Sequence, residues 1–174
     1  MQLSLNGIQR VMFGLKWDPI DLYRVDRKNI QASSYDLDLC ALIITEDGKR
    51  YIVDYTRKNW RDQVIIVKDS IEGNYRKISE QLNIENFYNI KEIYIGILSI
   101  NSKVSLKDIK NLEFKVCIEQ NIFSRKIKAD DKYCTAFIAC KIHKTDYGID
   151  YISLDEMMEA HTAKELFRRV GWGA

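Results

Sequence analysis

Residues 35–45 read YDLDLCALIIT, stop at Glu46-Asp47-Gly48-Lys49, and return over 50–56 as RYIVDYT. Both runs have strand length and are rich in residues that suit a pleated surface. The polar stop between them carries Asp-Gly, which readily supplies the positive φ values of a type I′ hairpin turn. This hairpin decides the fold class, because similar units recur on either side of it. Upstream, residues 9–18 read QRVMFGLKWD. Downstream come 62–67 (DQVIIV), 91–100 (KEIYIGILSI) and 111–120 (NLEFKVCIEQ). In the last of these Leu112, Phe114, Val116 and Ile118 alternate with Glu113, Lys115, Cys117 and Glu119, the signature of a strand with one wet face. Residues 122–129 continue that hairpin. Residues 133–143 (YCTAFIACKIH) are apolar on both faces and read as a central strand, and 148–153 as a short closing one. Such evenly spaced short runs predict an all-β fold, a two-sheet antiparallel β-sandwich.

Two segments carry helical patterns. In 75–83 (YRKISEQLN), Ile78 and Leu82 stand at i and i+4, which fits a short helix or a covered loop. Residues 154–170 read as a C-terminal α-helix, with Ser153 and Glu156 as a capping box and Gly171 as the stop. Its apolar stripe is split: Leu154, Met157, Met158 and His161 lie on one face, and Ala163, Leu166, Phe167 and Val170 on another. Either the helix crosses the sandwich and buries two sides in turn, or its second half docks on a protein partner or a second copy. In the second case Leu166, Phe167 and Trp172 would form the partner-binding surface.

The chain has 174 residues, with 27 Lys+Arg against 25 Asp+Glu, a net charge of +2. That length suits a single domain spanning residues 1–174. With 46% apolar and 30% charged residues the composition excludes a disordered chain. The near-balanced charge argues against nucleic acid as the partner. The one local candidate is Arg57, Lys58 and Arg61 around Trp60; the plainer reading has Trp60 anchoring the hairpin exit. No apolar stretch is long enough to span a membrane and none resembles a signal peptide, so the expected address is cytoplasmic. Cys40, Cys117, Cys134 and Cys140 lie in apolar runs without a C-x-x-C pair, and read as reduced core thiols. Zinc at Cys134, Cys140 and His143 is disfavoured, since strand alternation turns His143 away from the two thiols. Two histidines and no nucleophile motif predict that the chain is not an enzyme.

Asp36 and Asp38 flank Leu37, so both carboxylates stand on one side of a strand start while Leu37, Leu39, Ala41 and Ile43 turn to the core. Like charges that close repel unless a cation or a basic side chain lies between them. Asp18 closes the preceding run and is a third candidate. Hard cations such as Ca²⁺ take oxygen ligands from several loops, but 6–8 of them. An exposed, acid-rich strand end is therefore the alternative.

These residues carry a resemblance. Gly14-Leu15-Lys16-Trp17-Asp18 is similar to the G-L-x-W-D segment of TerD-like proteins. Tyr35-Asp36-Leu37-Asp38-Leu39 resembles their aromatic-D-L-D segment, followed in both by a strand and an acidic-Asp-Gly-Lys turn. The likeness extends over nearly the whole chain, with the later strands more loosely matched. It implies a β-sandwich of the bacterial tellurite-resistance and stress-response group, a binding or scaffolding protein that holds calcium through acidic loops. The family's second acidic segment, roughly G-D-N-x-T-G-E-G-x-G-D-D-E, is altered here. Asp69 matches its first Asp, Ser70 replaces the Asn, and Glu72 and Gly73 keep part of the middle. Asn74, Tyr75, Arg76 and Lys77 replace the final acids. The implied metal set is thus Asp18, Asp36, Asp38, Asp69 and Glu72, with calcium as the cofactor. The alternative is a calcium-independent interaction or scaffold subunit, in which Arg76 or Lys77 pairs with Asp36 or Asp38 and the basic loop, with Trp60, meets a partner.

Overall fold

The computed structural model describes residues 2–4, 10–19, 35–71, 73–74, 76–100, 104–129 and 132–173. Twelve strands among these residues form two six-stranded sheets. The first sheet runs β1 (Gln2–Ser4), β12 (Gly148–Met158), β11 (Ala136–Thr145), β8 (Ile90–Ser99), β3 (Leu37–Thr45), β4 (Arg50–Val53). The second runs β10 (Asn121–Lys126), β9 (Glu113–Ile118), β2 (Val11–Lys16), β7 (Glu80–Ile84), β6 (Val64–Lys68), β5 (Asn59–Trp60). Every strand pairing is antiparallel. The all-β sandwich expected from the run spacing is the fold observed.

The core lies between the sheets. Leu37, Leu39, Ala41 and Ile43 of β3 meet Phe13, Leu15, Leu82, Phe114 and Val116 from the other sheet in one buried cluster. The alternate residues Cys40, Leu42 and Ile44 are also buried, in a second cluster with Leu98, Ile138, Ala163, Leu166 and Phe167. A strand covered on both faces reads as a continuous apolar run, as residues 37–45 do.

The hairpin after β3 is one residue longer than the expected turn. Gly48 N–H donates to the Thr45 carbonyl and Thr45 N–H to the Lys49 carbonyl, both at 2.9 Å. Gly48 (φ 80°) is the turn's one positive-φ residue. The loop is therefore a type I turn closed by a left-handed glycine, not type I′.

One helical expectation is corrected, and the C-terminal helix is found but shorter than expected. The segment 75–83 contributes the start of β7, whose Leu82 and Ile84 point inward with period two. Residues 154–158 belong to β12, which runs to Met158 and pairs with β11. Of residues 154–170, only Ala163–Phe167 is α-helix (α1), followed by one 3₁₀ turn. The cap is Thr162, whose side chain accepts from Glu165 N–H, while a Glu165 carboxylate oxygen accepts from His161 N–H at 2.8 Å. Ser153 and Glu156 carry capping chemistry in sequence, but β11 offers them a ladder, and tertiary pairing overrides local preference. The two-faced apolar stripe thereby dissolves into a strand followed by a helix. Leu166 and Phe167 are fully buried on the chain's own first sheet. A partner-binding role for these two is corrected accordingly: their apolar surface is spent inside the molecule.

Candidate functional site

Three strand ends bring acids together. Asp38 lies at the start of β3, Asp69 one residue beyond β6, and Glu80 opens β7. One carboxylate oxygen from each lies within 4.8 Å of the others. Asp38 and Glu80 are 3% and 1% exposed, so water does little to separate their charges. Glu80 Oε1 accepts a 2.6 Å hydrogen bond from Ser70 N–H, which ties the loop after β6 to β7. Lys58 Nζ lies 2.6 Å from Asp69 Oδ2.

Burial dominates the acid–base chemistry. It pushes the Glu80 carboxyl up to about 9, against the pull of the Ser70 N–H and with added repulsion from Asp38 and Asp69. Asp38 rises to about 7, first by burial and then by the charges of Asp36 and Asp69, partly offset by Lys58. Asp36 is raised by burial and by Asp69. Its Oδ1 is buried and has no hydrogen-bond partner among the described residues. At neutral pH the cluster therefore holds protons that a cation could displace.

The expected set is reached in part. Asp36, Asp38 and Asp69 share one electrostatic neighbourhood. Asp18 does not join the converging group: its Oδ2 accepts from Asn111 Nδ2 at 2.7 Å and its N–H donates to the Lys110 carbonyl. The two motifs do meet, but through Trp17, a core residue whose Nε1–H donates to the Tyr35 carbonyl at 2.9 Å. Glu72 lies outside the described residues. Glu80 was missed, because residues 75–83 were given a helical period. The signal was present in EQLNI, where Glu80 shares the parity of Leu82 and Ile84 and so had to be buried with them.

The basic residues also sort differently. Lys58, not Arg76 or Lys77, faces the acids. Arg76 is exposed and its backbone N–H donates to Asn74 Oδ1. Trp60 is 2% exposed and tilted against Tyr51 with ring centroids 5.3 Å apart, under the Arg61 guanidinium. Its faces are occupied, as the anchor reading of the hairpin exit requires. Trp172 is half-buried, packed against the second cluster and beside Arg50, Tyr51 and Ile52.

The donor set suits a hard dication in span, and in charge once Asp38 and Glu80 release their protons. Oxygens bound at 2.3–2.6 Å from one Ca²⁺ lie no more than roughly 5 Å apart. Three carboxylates can supply up to six oxygens if each binds through both.

The two antiparallel sheets make a β-sandwich, and its fold is TerD-like. The chain superimposes on the crystal structure of a homologue of the telluride resistance protein TerD, SCO6318 from Streptomyces coelicolor A3(2), with a TM-score of 0.72 and 17% identity over 92% of this chain and 95% of that one. It also superimposes on SAV2460, a protein of unknown function, with a TM-score of 0.71 and 16% identity over 97% and 99% of the two chains. No family model and no curated protein sequence matches. Among the described residues no helix is long and apolar enough to cross a membrane.

Proposed function

We propose that this chain is a non-catalytic, TerD-like binding module of the tellurite-resistance and stress-response type, acting in the cytoplasm, whose Asp38–Asp69–Glu80 cluster takes up calcium in exchange for protons. The observation that carries the reading is the convergence of three carboxylates within 4.8 Å, two of them nearly fully buried. Their mutual repulsion is relieved either by protonation or by a dication. Asp36, with an unpartnered buried oxygen beside the group, is the fourth ligand of this reading. The non-catalytic assignment is supported by the histidines. His143 sits on β11 beside Glu92, and His161 is exposed beside Glu159; neither faces the acids.

Lys58 favours a second reading, a calcium-independent scaffold subunit. Its ammonium already balances Asp69, as an internal counterion would. Calorimetric titration with Ca²⁺ at pH 6 and pH 8 separates the two. The calcium reading expects heat, a higher Tm and tighter binding at pH 8, all lost in Asp38→Asn. A silent titration at millimolar Ca²⁺ at both pH values would refute it and leave the scaffold reading.

A further inference from the structure

The β4 edge of the first sheet and the C-terminal turn line a half-open cavity of about 320 Å³. It is lined by Arg50, Tyr51, Ile52, Asp54, Thr56, Arg57, Lys164 and Trp172. Arg50 comes from β4, Arg57 from the turn after it, and Lys164 from α1. Three separate segments thus turn cations toward one concavity. None of the three has an ion-pair partner among the described residues, although eight Lys or Arg ion pairs are formed elsewhere in those residues.

The single acid in the lining does not neutralise them. Asp54 Oδ1 accepts from Thr56 N–H at 2.9 Å, Thr56 Oγ1 at 2.6 Å and Arg57 N–H at 3.1 Å. That carboxylate is committed to holding the turn that carries Arg57. The lining therefore has three positive charges against one negative. Arg61 adds a fourth cation nearby, over the ring of the lining residue Tyr51. Like charges gathered without counterions repel, and an anion in the cavity relieves that cost. Arginine forks bind phosphate oxygens in pairs, and lysine adds a point charge.

The remaining wall is the indole of Trp172. Trp17 and Trp60 are buried, so Trp172 is the tryptophan with surface to offer. A flat ring stacks well on such a face. The volume is at the lower end of small-ligand pockets, which suits one mononucleotide-sized molecule and is too small for a folded partner.

We propose that this pocket binds a small phosphorylated ligand of the nucleotide class, with its phosphate among Arg50, Arg57 and Lys164 and its planar ring against Trp172. The pocket shares no lining residue with the acid cluster, although its Asp54 lies close enough to add to the rise of the Asp38 carboxyl.

The test uses the full chain with AMP, adenosine and inorganic phosphate as probes, followed by tryptophan fluorescence and calorimetry. AMP is expected to quench Trp172 and to bind about tenfold or more tighter than either half alone. Binding should weaken as salt rises. Arg57→Ala and Lys164→Ala should each weaken AMP at least about fivefold, and Trp172→Phe should abolish the quench while calorimetric heat persists. Both cations are exposed, so the variants fold; an unchanged Tm confirms it. No AMP binding at millimolar concentration, or AMP binding unaffected by Arg57→Ala and Lys164→Ala together, would overturn the proposal. Equal affinity for inorganic phosphate and AMP would overturn the ring-stacking assignment.

Discussion

Replacing Glu80 by Gln makes the strongest claim about the acid cluster measurable. Glu80 is 1% exposed and its carboxyl is pushed from 4.5 to about 9, first by burial. The unfolded chain releases this proton above its ordinary pKa while the folded chain keeps it. The unfolded state then binds fewer protons, so stability falls as pH rises through the window from 4.5 to about 9. Below that window Glu80 carries no penalty; above it the penalty is complete. One held proton is worth about 1.4 kcal/mol per pH unit. Over the interval from 4.5 to 7 this amounts to about 3 kcal/mol, an upper bound because Asp38, whose charge adds to the shift, is itself still largely protonated below about 7. A glutamine amide keeps the acceptor for Ser70 N–H and never ionises. Urea unfolding in EDTA at pH 4.5, 6, 7 and 8.5 should therefore show variant and parent equal at the lowest pH and the variant increasingly more stable above it, by up to about 3 kcal/mol at pH 7. Calcium should raise the parent's stability at pH 8.5 and leave the variant less responsive. Parallel stability–pH curves for the two proteins, or a variant less stable than its parent at pH 7, would refute the reasoning.

Three further perturbations probe the scaffold. Leu166→Ala should cost about 2–5 kcal/mol in urea unfolding, since Leu166 is fully buried against the first sheet; a loss below about 0.5 kcal/mol would return that side chain to the surface. In Gly73→Ala the added Cβ would lie 2.5 Å from the Trp17 carbonyl oxygen and 2.7 Å from its Nε1, so the loop after β6 must shift; about 1–3 kcal/mol of destabilisation and a weakened calcium response should follow, read by Tm and calorimetry. Thiol titration of the native protein should find one accessible cysteine, Cys117, because Cys40, Cys134 and Cys140 are buried and burial pushes the Cys140 thiol up to about 12; four should react in urea. Rapid reaction of two or more native thiols would contradict the packing.

Much of the fold was legible because strand chemistry repeats locally. The alternation at 112–118 needed only adjacent residues, and the observed burial follows it residue by residue. The 133–143 run announced a strand apolar on both faces without saying what covers it. The failures share a cause. Residues 154–158 and 80–84 have spacing compatible with helix, and their state was set by partners, β11 in one case and β2 and β6 in the other. Asp36 and Asp38 could be placed side by side from their i, i+2 spacing alone. That Asp69 joins them and Asp18 does not depends on where separate strands end.

The sequence by itself thus determined a two-sheet β-sandwich and a pair of neighbouring acids, because hydrophobic period and turn chemistry act over a few residues. Only the tertiary structure brought Glu80 into the cluster and gave Asp69 to Lys58. It alone sealed Leu166 and Phe167 against β3 and turned Arg50, Arg57 and Lys164 toward Trp172. Contacts across dozens of residues depend on strand order and register, and burial, which sets the acids' protonation, exists only once the sheets have closed.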